Sequence, residues 1–427
     1  MKLHLPKRVL TLGLVGLWLG SALSFGQWAQ GRTLTIMTFS DEFKTNGVIA
    51  DFEKLTGATV DLRVVPNEQY MNKLIPLLRT KRDVPDIFVG EAGYIKEVVN
   101  LGQSVDLGAA PYYASTANQY PYAAEMGRDK NGVLRALTWQ TTPGGLFFRR
   151  SIALKVFGTD DPVQVGKHFS TWSKFIESGK KLAEHGYYLL PEAGDLGSVF
   201  FANKKEPYFD ANHNWHLDPI IKKYFEVAKK LRDGNMDMKL SDWSAPWMDQ
   251  MNTPPGKAKV FAYLWPTWGL FFVLSNQKES LGDWGICHTP LDWYWGGTWL
   301  NIYKNSPNKD LAWAFISMMT QNEPYMEKLA LRTGDFSSDE TVVNTIMDHF
   351  NNGDPAGVLG GHQNHYKFFA QTADKIDASG VSSEDRVVNQ VVGSVLDDYL
   401  NNKFPTVDAA LQEITTRIQQ MYPDMNY

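Results

Sequence analysis

The amino-acid sequence predicts an α/β protein of two lobes with a helical C-terminal region. Its 427 residues exceed what one hydrophobic core usually supports, so two domains are expected. Runs rich in β-branched residues alternate with segments of helical periodicity, a pattern typical of helices packed on mostly parallel sheets. Glycine and proline clusters at 143–145 and 296–297 mark the places where we expect the chain to cross between lobes.

The first third of the chain contains four predicted strands. They span 33–39, 59–65, 85–90 and 133–139. A helix ending at Gly57 separates the first two strands, and a second helix is expected to begin at a capping Asn67 and run to about Arg82. A short helix follows at 94–101. This order predicts a sheet with helices on its faces.

The rest of the chain repeats the pattern with clear helix-start signals. Pro143-Gly144-Gly145 is expected to break the chain after the fourth strand. Further strands are expected after residue 260, at 284–290 and at 298–303. Helix starts are predicted at Ser170 or Thr171, at Asp218 with Pro219 in the first turn, at Ser306-Pro307 and at Thr406.

Composition excludes several classes of function. Hydrophobic residues make up 43% and charged residues 21% of the chain, which indicates a folded globular protein. The net charge is −5, and it falls to about −8 without the basic N-terminal segment, so binding to nucleic acid is not expected. Cys287 is the only cysteine, which rules out an internal disulfide, and its apolar surroundings predict a buried side chain.

Residues 1–31 are predicted to be an export signal. Three basic residues, Lys2, Lys7 and Arg8, precede an apolar run that ends among small residues. The apolar run is slightly long for a cleaved signal, so an uncleaved membrane anchor is the alternative. A periplasmic location is therefore expected.

Signatures of catalysis and metal binding are weak. Nucleophile-elbow, zincin, P-loop and dinucleotide-binding motifs do not occur in the sequence. His213 and His216 lack further ligands at suitable spacing, and we interpret their segment as a polar surface loop. Asp397 and Asp398 are adjacent and point apart on a helix, so they cannot flank one glycosidic bond. Neither a metal nor an organic cofactor is expected.

Tryptophan is the informative residue type. Of 14 tryptophans, eight lie between residues 243 and 299: Trp243, Trp247, Trp265, Trp268, Trp284, Trp293, Trp295 and Trp299. They stand beside proline and glycine after predicted strand ends, where open α/β sheets bind ligands. An indole ring covers the apolar C–H face of a pyranose, while carboxylates and amides pair with its hydroxyls. We expect some of the eight to line a sugar cleft and others to pack a lobe.

Several stretches together resemble a known family. They lie at 50–60, 85–89, 137–149, 171–175, 179–182, 256–260, 283–286, 296–297 and 306–315. In order and spacing the chain is similar to bacterial extracellular solute-binding protein family 1, the group that includes maltose-binding protein. The resemblance implies a type II-like periplasmic binding protein fold with a multi-strand hinge near 141–145 and 295–297. It implies one lobe from 32–140 and 298–335, and another from 146–294 and 336–427.

The resemblance also implies site residues. Those matched by position are Ser40, Asp41, Glu42, Glu91, Gln140, Trp265, Trp293, Tyr294 and Trp295. The tryptophan cluster adds Trp243, Trp268 and Trp299 as candidate ligand contacts. The sequence departs from the family at Trp299 and at 353–369, which puts the identity of the substrate in doubt.

The expected function is capture of a carbohydrate by a monomer whose lobes close around it and which then docks on the membrane subunits of an ABC importer. A polyamine is the alternative ligand, because Asp41, Glu42 and Glu91 supply carboxylates. Two further alternatives are an exported glycosidase or lyase, which would release products, and a surface lectin without an importer.

Overall fold

The computed structural model describes residues 28–427, so the predicted export signal lies almost entirely outside the described residues. The strands are β1 (Thr33–Thr38), β2 (Thr59–Val64), β3 (Ile87–Glu91), β4 (Ala136–Thr138), β5 (Gly144–Arg149), β6 (Ala262–Pro266), β7 (Trp284–Cys287) and β8 (Thr298–Ile302). The first nine helices are α1 (Glu42–Thr45), α2 (Val48–Thr56), α3 (Asn67–Thr80), α4 (Ile95–Asn100), α5 (Pro121–Met126), α6 (Arg150–Phe157), α7 (Pro162–Lys167), α8 (Trp172–Glu184) and α9 (Gly197–Phe201). The remaining helices are α10 (Pro219–Asp233), α11 (Ala245–Asn252), α12 (Lys309–Thr320), α13 (Glu323–Thr333), α14 (Glu340–Ile346), α15 (His365–Ala373), α16 (Asp385–Leu400) and α17 (Val407–Met421).

Two separate sheets define two lobes. The first lobe contains a five-stranded sheet in the order β2-β1-β3-β8-β4, in which β2, β1 and β3 are parallel and β8 runs antiparallel to β3 and β4. The second lobe contains a three-stranded sheet in the order β6-β5-β7. The strand and helix content confirms the predicted two-lobed α/β class.

The prediction of a mostly parallel sheet is wrong for the second lobe. There β5 runs antiparallel to both neighbours, with Gly144 opposite Pro266 and Leu146 opposite Cys287. The reason is that β5 starts where the chain arrives from the first lobe, whereas β6 and β7 both end beside that start. The residues that follow β6 and β7 are therefore delivered to the boundary between the lobes.

Three chain segments connect the lobes and hydrogen-bond to one another. The amide of Thr141 donates to the carbonyl of Phe336 (3.0 Å), and the amide of Ser338 donates to the carbonyl of Trp139 (3.0 Å). The amide of Gly144 donates to the carbonyl of Trp293 (2.7 Å). Such a ladder of short extended segments is what a hinge requires. The third segment, around 336–339, was not among the predicted hinge segments, although the predicted lobe boundary at 335–336 places a chain crossing there. The lobe boundaries given by the sequence stay a prediction.

The glycine pair after residue 143 does not break the chain as predicted. Gly144 and Gly145 are the first residues of β5. A Cβ at Gly144 would overlap the Trp293 ring, and one at Gly145 would meet Ile286 and Phe368. Close packing over the strand, and not a turn, therefore requires these glycines.

Helix-start signals were partly confirmed. Thr171, Asp218 and Thr406 each cap a helix by accepting a hydrogen bond from a backbone amide in its first turn. Asn67 is not a cap: it is the first helical residue, and its side chain accepts a hydrogen bond from the Tyr94 hydroxyl (2.9 Å). The predicted cap at Ser306-Pro307 is also wrong, because Asn308 occupies that position and Ser306 donates to the Asp86 carboxylate instead. In both cases the polar side chain hydrogen-bonds to a residue elsewhere in the chain and does not cap the helix.

Each lobe has its own aromatic core. In the first, the rings of Phe43 and Phe52 both contact Phe315 on α12. In the second, the Phe261 ring stacks on Phe148 and Phe169. Cys287 is buried there, as predicted. Among residues 28–427, no helix has the length and apolarity needed to span a bilayer.

Candidate functional site

A cavity of about 340 Å³ lies between the two lobes. The first lobe contributes Glu91, Ala92 and Gly93, which stand at the carboxyl end of β3. The second lobe contributes the larger wall, formed by Gly194, Asp195, Gly197, Ser198, Phe201, Ala202, Tyr224, Asp242, Tyr294, Trp295, Val381, Asp385, Asn389 and Gly393. The cavity is therefore a cleft between lobes, the position where two-lobed proteins enclose a ligand.

Two further cavities extend from this one, the first between the lobes and the second within the second lobe. One extension, of about 590 Å³, shares Glu91, Gly93 and Asn389 with it and reaches Asn67 and Arg386. The other, of about 550 Å³, shares Gly194, Tyr224, Asp242 and Gly393 and reaches Arg232, Lys239 and Asp397. The three spaces share lining residues, and their volumes leave room for a ligand larger than one sugar ring.

An aromatic platform backs the central cavity. Trp295 lines the cavity, and its ring stacks on Trp265 with centroids 5.9 Å and planes 10° apart. Trp268 meets both rings edge-on at 5.3 and 5.0 Å, and its indole N–H donates to the Trp295 carbonyl at 3.0 Å. Trp243 stacks on the outer side of Trp268 at 6.3 Å and is 52% exposed. The rings are locked by one another before any ligand arrives.

This platform follows from the antiparallel second sheet. Trp265 is part of β6 and Trp268 follows it directly, while Trp295 lies in the segment that returns to the first lobe. Strands β6 and β7 both end at the lobe boundary, so Trp265 and Trp295, about 30 positions apart in the chain, stack there.

Tyr294 also lines the cavity, but Trp293 and Trp299 do not. The Tyr294 ring lies 5.1 Å from Tyr122 of the first lobe, so it bridges the lobes beside the hinge. Trp293 is fully buried against Gly144. Trp299 is buried in the first lobe, where its indole N–H donates to the Ala123 carbonyl at 2.9 Å. Trp293 and Trp299 are therefore core residues, and neither reaches the cavity wall, where they were expected as ligand contacts.

Carboxyl groups dominate the polar lining. Burial raises the pKa of Glu91 to about 7, although its carboxylate accepts a hydrogen bond from the Gly93 amide at 2.8 Å. Burial is the main cause that raises the pKa of Asp195 well above its usual range, and a hydrogen bond with Asp242 is the second cause. Asp385 is paired with Lys204 at 2.7 Å. No lysine or arginine of the described chain lines the central cavity itself.

The other predicted polar residues lie beside the cavity and not on its wall. The Glu42 carboxylate accepts hydrogen bonds from the hydroxyls of Ser40 (3.0 Å) and Thr298 (3.4 Å). The Gln140 amide donates to the same Thr298 hydroxyl at 3.4 Å. Burial raises the pKa of Glu42 to about 7. Thr298 is the strand partner of Glu91, so this network adjoins the cavity.

Asp41 is exposed. It occupies the start of the short helix α1, but its carboxylate accepts no capping hydrogen bond from a backbone amide. Of the twelve predicted residues, the structure thus places Glu91, Tyr294 and Trp295 on the cavity wall. Trp265, Trp268 and Trp243 pack behind Trp295. Direct contact of any of these residues with a ligand stays a prediction.

The sequence analysis did not predict several residues that line the cavity. Asp195 and Ser198 follow the buried run 187–190 through a glycine-containing polar loop, a strand-end signal that could have been used. Asp242 stands in the predicted loop before Trp243, but its chemistry carried no separate signal. Asn389 lies within the long helix α16 and had none. Within the described residues, no group of three or more histidine, cysteine or acidic side chains could hold a metal ion.

Fold and cleft together define a two-lobed ligand-binding protein. The chain matches the bacterial extracellular solute-binding protein family over residues 47–350, and it belongs to that family.

Solved structures agree on the fold. The chain is similar to an extracellular solute-binding protein of family 1, with a TM-score of 0.78, 16% identity, and coverage of 90% of this chain and 98% of that one. It is also similar to the GacH receptor of Streptomyces glaucescens, solved unliganded and with acarbose (TM-score 0.72, 17% identity, coverage 92% and 99%). A third similar structure is an ABC transporter associated binding protein from B. animalis subsp. lactis in complex with β-1,6-galactobiose (TM-score 0.73, 20% identity, coverage 91% and 97%).

Proposed function

We propose that this protein captures a carbohydrate, a mono- or oligosaccharide, in the cleft between its lobes and delivers it to the membrane subunits of an ABC importer. It works without catalysis, as an exported monomer. The lobes close around the ligand because only the closed arrangement lets both lobes contact it. Family membership and the sugars named with two of the similar structures support this proposal.

The observation that carries the proposal is the Trp295 platform facing Glu91 across the central cavity. A flat indole suits the apolar face of a pyranose and excludes water from it. Glu91, Asp195 and Asp242 surround the same space with groups that accept hydrogen bonds and, when protonated, also donate them. Sugar hydroxyls both donate and accept, so such a lining matches the rim of the ring. The two adjoining cavities leave room for further sugar units.

A ligand screen tests the proposal. The protein lacking residues 1–31 is titrated with a panel of mono- and oligosaccharides, and thermal unfolding, tryptophan emission and the radius of gyration are recorded. The cognate sugar should raise the unfolding temperature, because it binds the folded state alone. It should also change tryptophan emission and shrink the radius of gyration. No response to any sugar in a broad panel would contradict the proposal.

One observation favours a second candidate ligand, a polyamine. The ionisable lining residues of the central cavity are acids, and only Asp385 has a lysine partner. A cationic ligand would let Glu91 and Asp195 ionise without an uncompensated buried charge. Stabilisation by spermidine that weakens with added salt, together with no response to sugars, would select this candidate.

A further inference from the structure

Two helices from opposite lobes touch across the cleft, outside the three hinge segments. Arg386, at the start of α16 in the second lobe, donates from Nε and Nη2 to the two carboxylate oxygens of Glu97 on α4, at 2.9 and 3.2 Å. The Asn100 amide of α4 donates to the Ser383 hydroxyl at 2.9 Å, and that hydroxyl donates to the Lys96 carbonyl at 3.3 Å. All four hydrogen bonds connect one lobe to the other.

The geometry of the ion pair is favourable. Both nitrogens of one guanidinium edge engage both oxygens of one carboxylate, the two-point arrangement that makes arginine pairs stronger and more directional than lysine pairs. The side chains of Arg386 and Glu97 are 27% and 20% exposed, so water screens the pair only in part. The hydrogen bond with Glu97 is the main cause that raises the pKa of Arg386.

The pair also stands beside the ligand site. Arg386 lines the extension of the cleft that shares Glu91 and Gly93 with the central cavity. Glu97 lies six residues after Glu91, on the helix that follows β3. A motion that parts α4 from α16 would break all four hydrogen bonds, whereas bonds within one lobe would persist.

We propose that the Arg386–Glu97 pair is a latch that favours the closed arrangement of the lobes before any ligand enters the cleft. The hydrogen bonds form only when α16 meets α4, so their free energy belongs to the closed state alone. Arg386 and Glu97 are positioning residues: they set the fraction of molecules already closed and need not touch the ligand. Loss of the pair should shift the ratio of closed to open molecules toward open by about fivefold.

The experiment measures the distance between lobes in the ligand-free protein. Spin labels are placed at Lys73→Cys on α3 and Lys230→Cys on α10, two exposed positions in opposite lobes, after the buried Cys287 is replaced by alanine. Distance distributions are recorded by pulsed electron paramagnetic resonance for this background and with Glu97→Gln added. The latch predicts a larger share of long distances in the Glu97→Gln protein. The charge-swapped protein, Glu97→Arg with Arg386→Glu, should return the distribution toward that of the background.

Glu413→Gln is the matched control. It makes the same chemical change in an ion pair with Arg417, 2.8 Å long, that lies within α17 and does not cross the cleft. Its distance distribution should equal that of the background. An unchanged distribution in Glu97→Gln, or an equal change in the control, would overturn the latch. Because no ligand is present, failure here is distinct from failure of the sugar screen.

Discussion

The two faces of the cleft are built differently. The second-lobe face carries the Trp295 platform, in which Trp265, Trp268 and Trp243 hold one another through ring contacts of 5.0–6.3 Å. The first-lobe face presents a short polar edge at the end of β3, where Glu91 is the ionisable residue on the cavity wall. The second-lobe face is large and combines the aromatic platform with carboxylates such as Asp195 and Asp242, whereas the first-lobe face is small and polar.

This difference indicates that the two faces contribute differently to ligand binding. An aromatic surface that is already ordered loses little conformational entropy on binding, so the ligand should settle first on the second lobe. Under the proposed function, Glu91 would contact the sugar only after the lobes close, so the first lobe would recognise hydroxyl positions late. The platform should therefore contribute most of the affinity, and the polar edge should contribute selectivity.

Removal of the Trp295 ring, the part of the platform that lines the cavity, should have the largest effect on ligand affinity. Trp295→Ala should weaken binding of the cognate sugar by about 30- to 150-fold, because a buried tryptophan anchor is worth about 2–3 kcal/mol. Isothermal titration calorimetry measures the change. Trp313→Ala is the control, since Trp313 contacts Tyr112 in the first lobe away from the cavity. Equal affinity in Trp295→Ala and the parent protein would remove the basis of the comparison.

Removal of the polar edge should cost less. Glu91→Ala should weaken binding by about 5- to 30-fold, the effect of one lost hydrogen bond of about 1–2 kcal/mol. Glu91→Gln should lose less for a neutral sugar, because the amide both donates and accepts. Titrations of both variants with the same ligand decide this point. A loss in Glu91→Ala greater than that in Trp295→Ala would reverse the assignment of the two faces.

The polar edge should also leave a signature in stability. Burial raises the pKa of Glu91 from 4.5 to about 7, so the folded state retains a proton that the unfolded chain releases between these values. This contribution to the free energy of unfolding is complete below about pH 4.5 and is lost as the pH rises through 7. Between pH 5 and pH 8, the free energy of unfolding should fall by about 1–2 kcal/mol less in Glu91→Gln than in the parent protein, as measured by urea unfolding.

Other groups contribute to the same pH dependence, so the comparison must be between variant and parent. Burial also raises the pKa of Glu42 and of Glu192 to about 7, which keeps part of the decline in every variant. Burial lowers the pKa of His365 to about 4, and its contribution is lost on acidification from pH 6.5 toward 4. An identical pH profile for Glu91→Gln and the parent would show that Glu91 is not held in a dry environment.

The outermost ring of the platform should matter least. Trp243→Ala should reduce affinity by about two- to fourfold, because Trp243 is half exposed and supports Trp268 from the outside. Calorimetry with the cognate sugar measures this change against that in Trp295→Ala. A loss as large as that of Trp295→Ala would extend the ligand site outward along the platform.

Local signals in the sequence were sufficient for most of the fold. Side-chain caps such as Thr171 and Asp218 act on amides within three residues, so the nearby sequence was enough to place these two helix starts. Alternation of strands and helices predicted the parallel part of the first sheet. The concentration of tryptophan between 243 and 299 predicted the aromatic wall of the cleft.

Tertiary structure alone decided which of these residues face the cavity. Glu42 and Glu91 both follow strands of one sheet, yet only Glu91 lines the cavity, while Glu42 turns toward Thr298. Trp293 and Trp295 are two positions apart, yet one packs on β5 and the other opens to the cleft. Caps and periodicity depend on neighbours along the chain, whereas the cavity wall joins residues from Glu91 to Gly393. Long-range packing, which no local pattern encodes, sets that convergence.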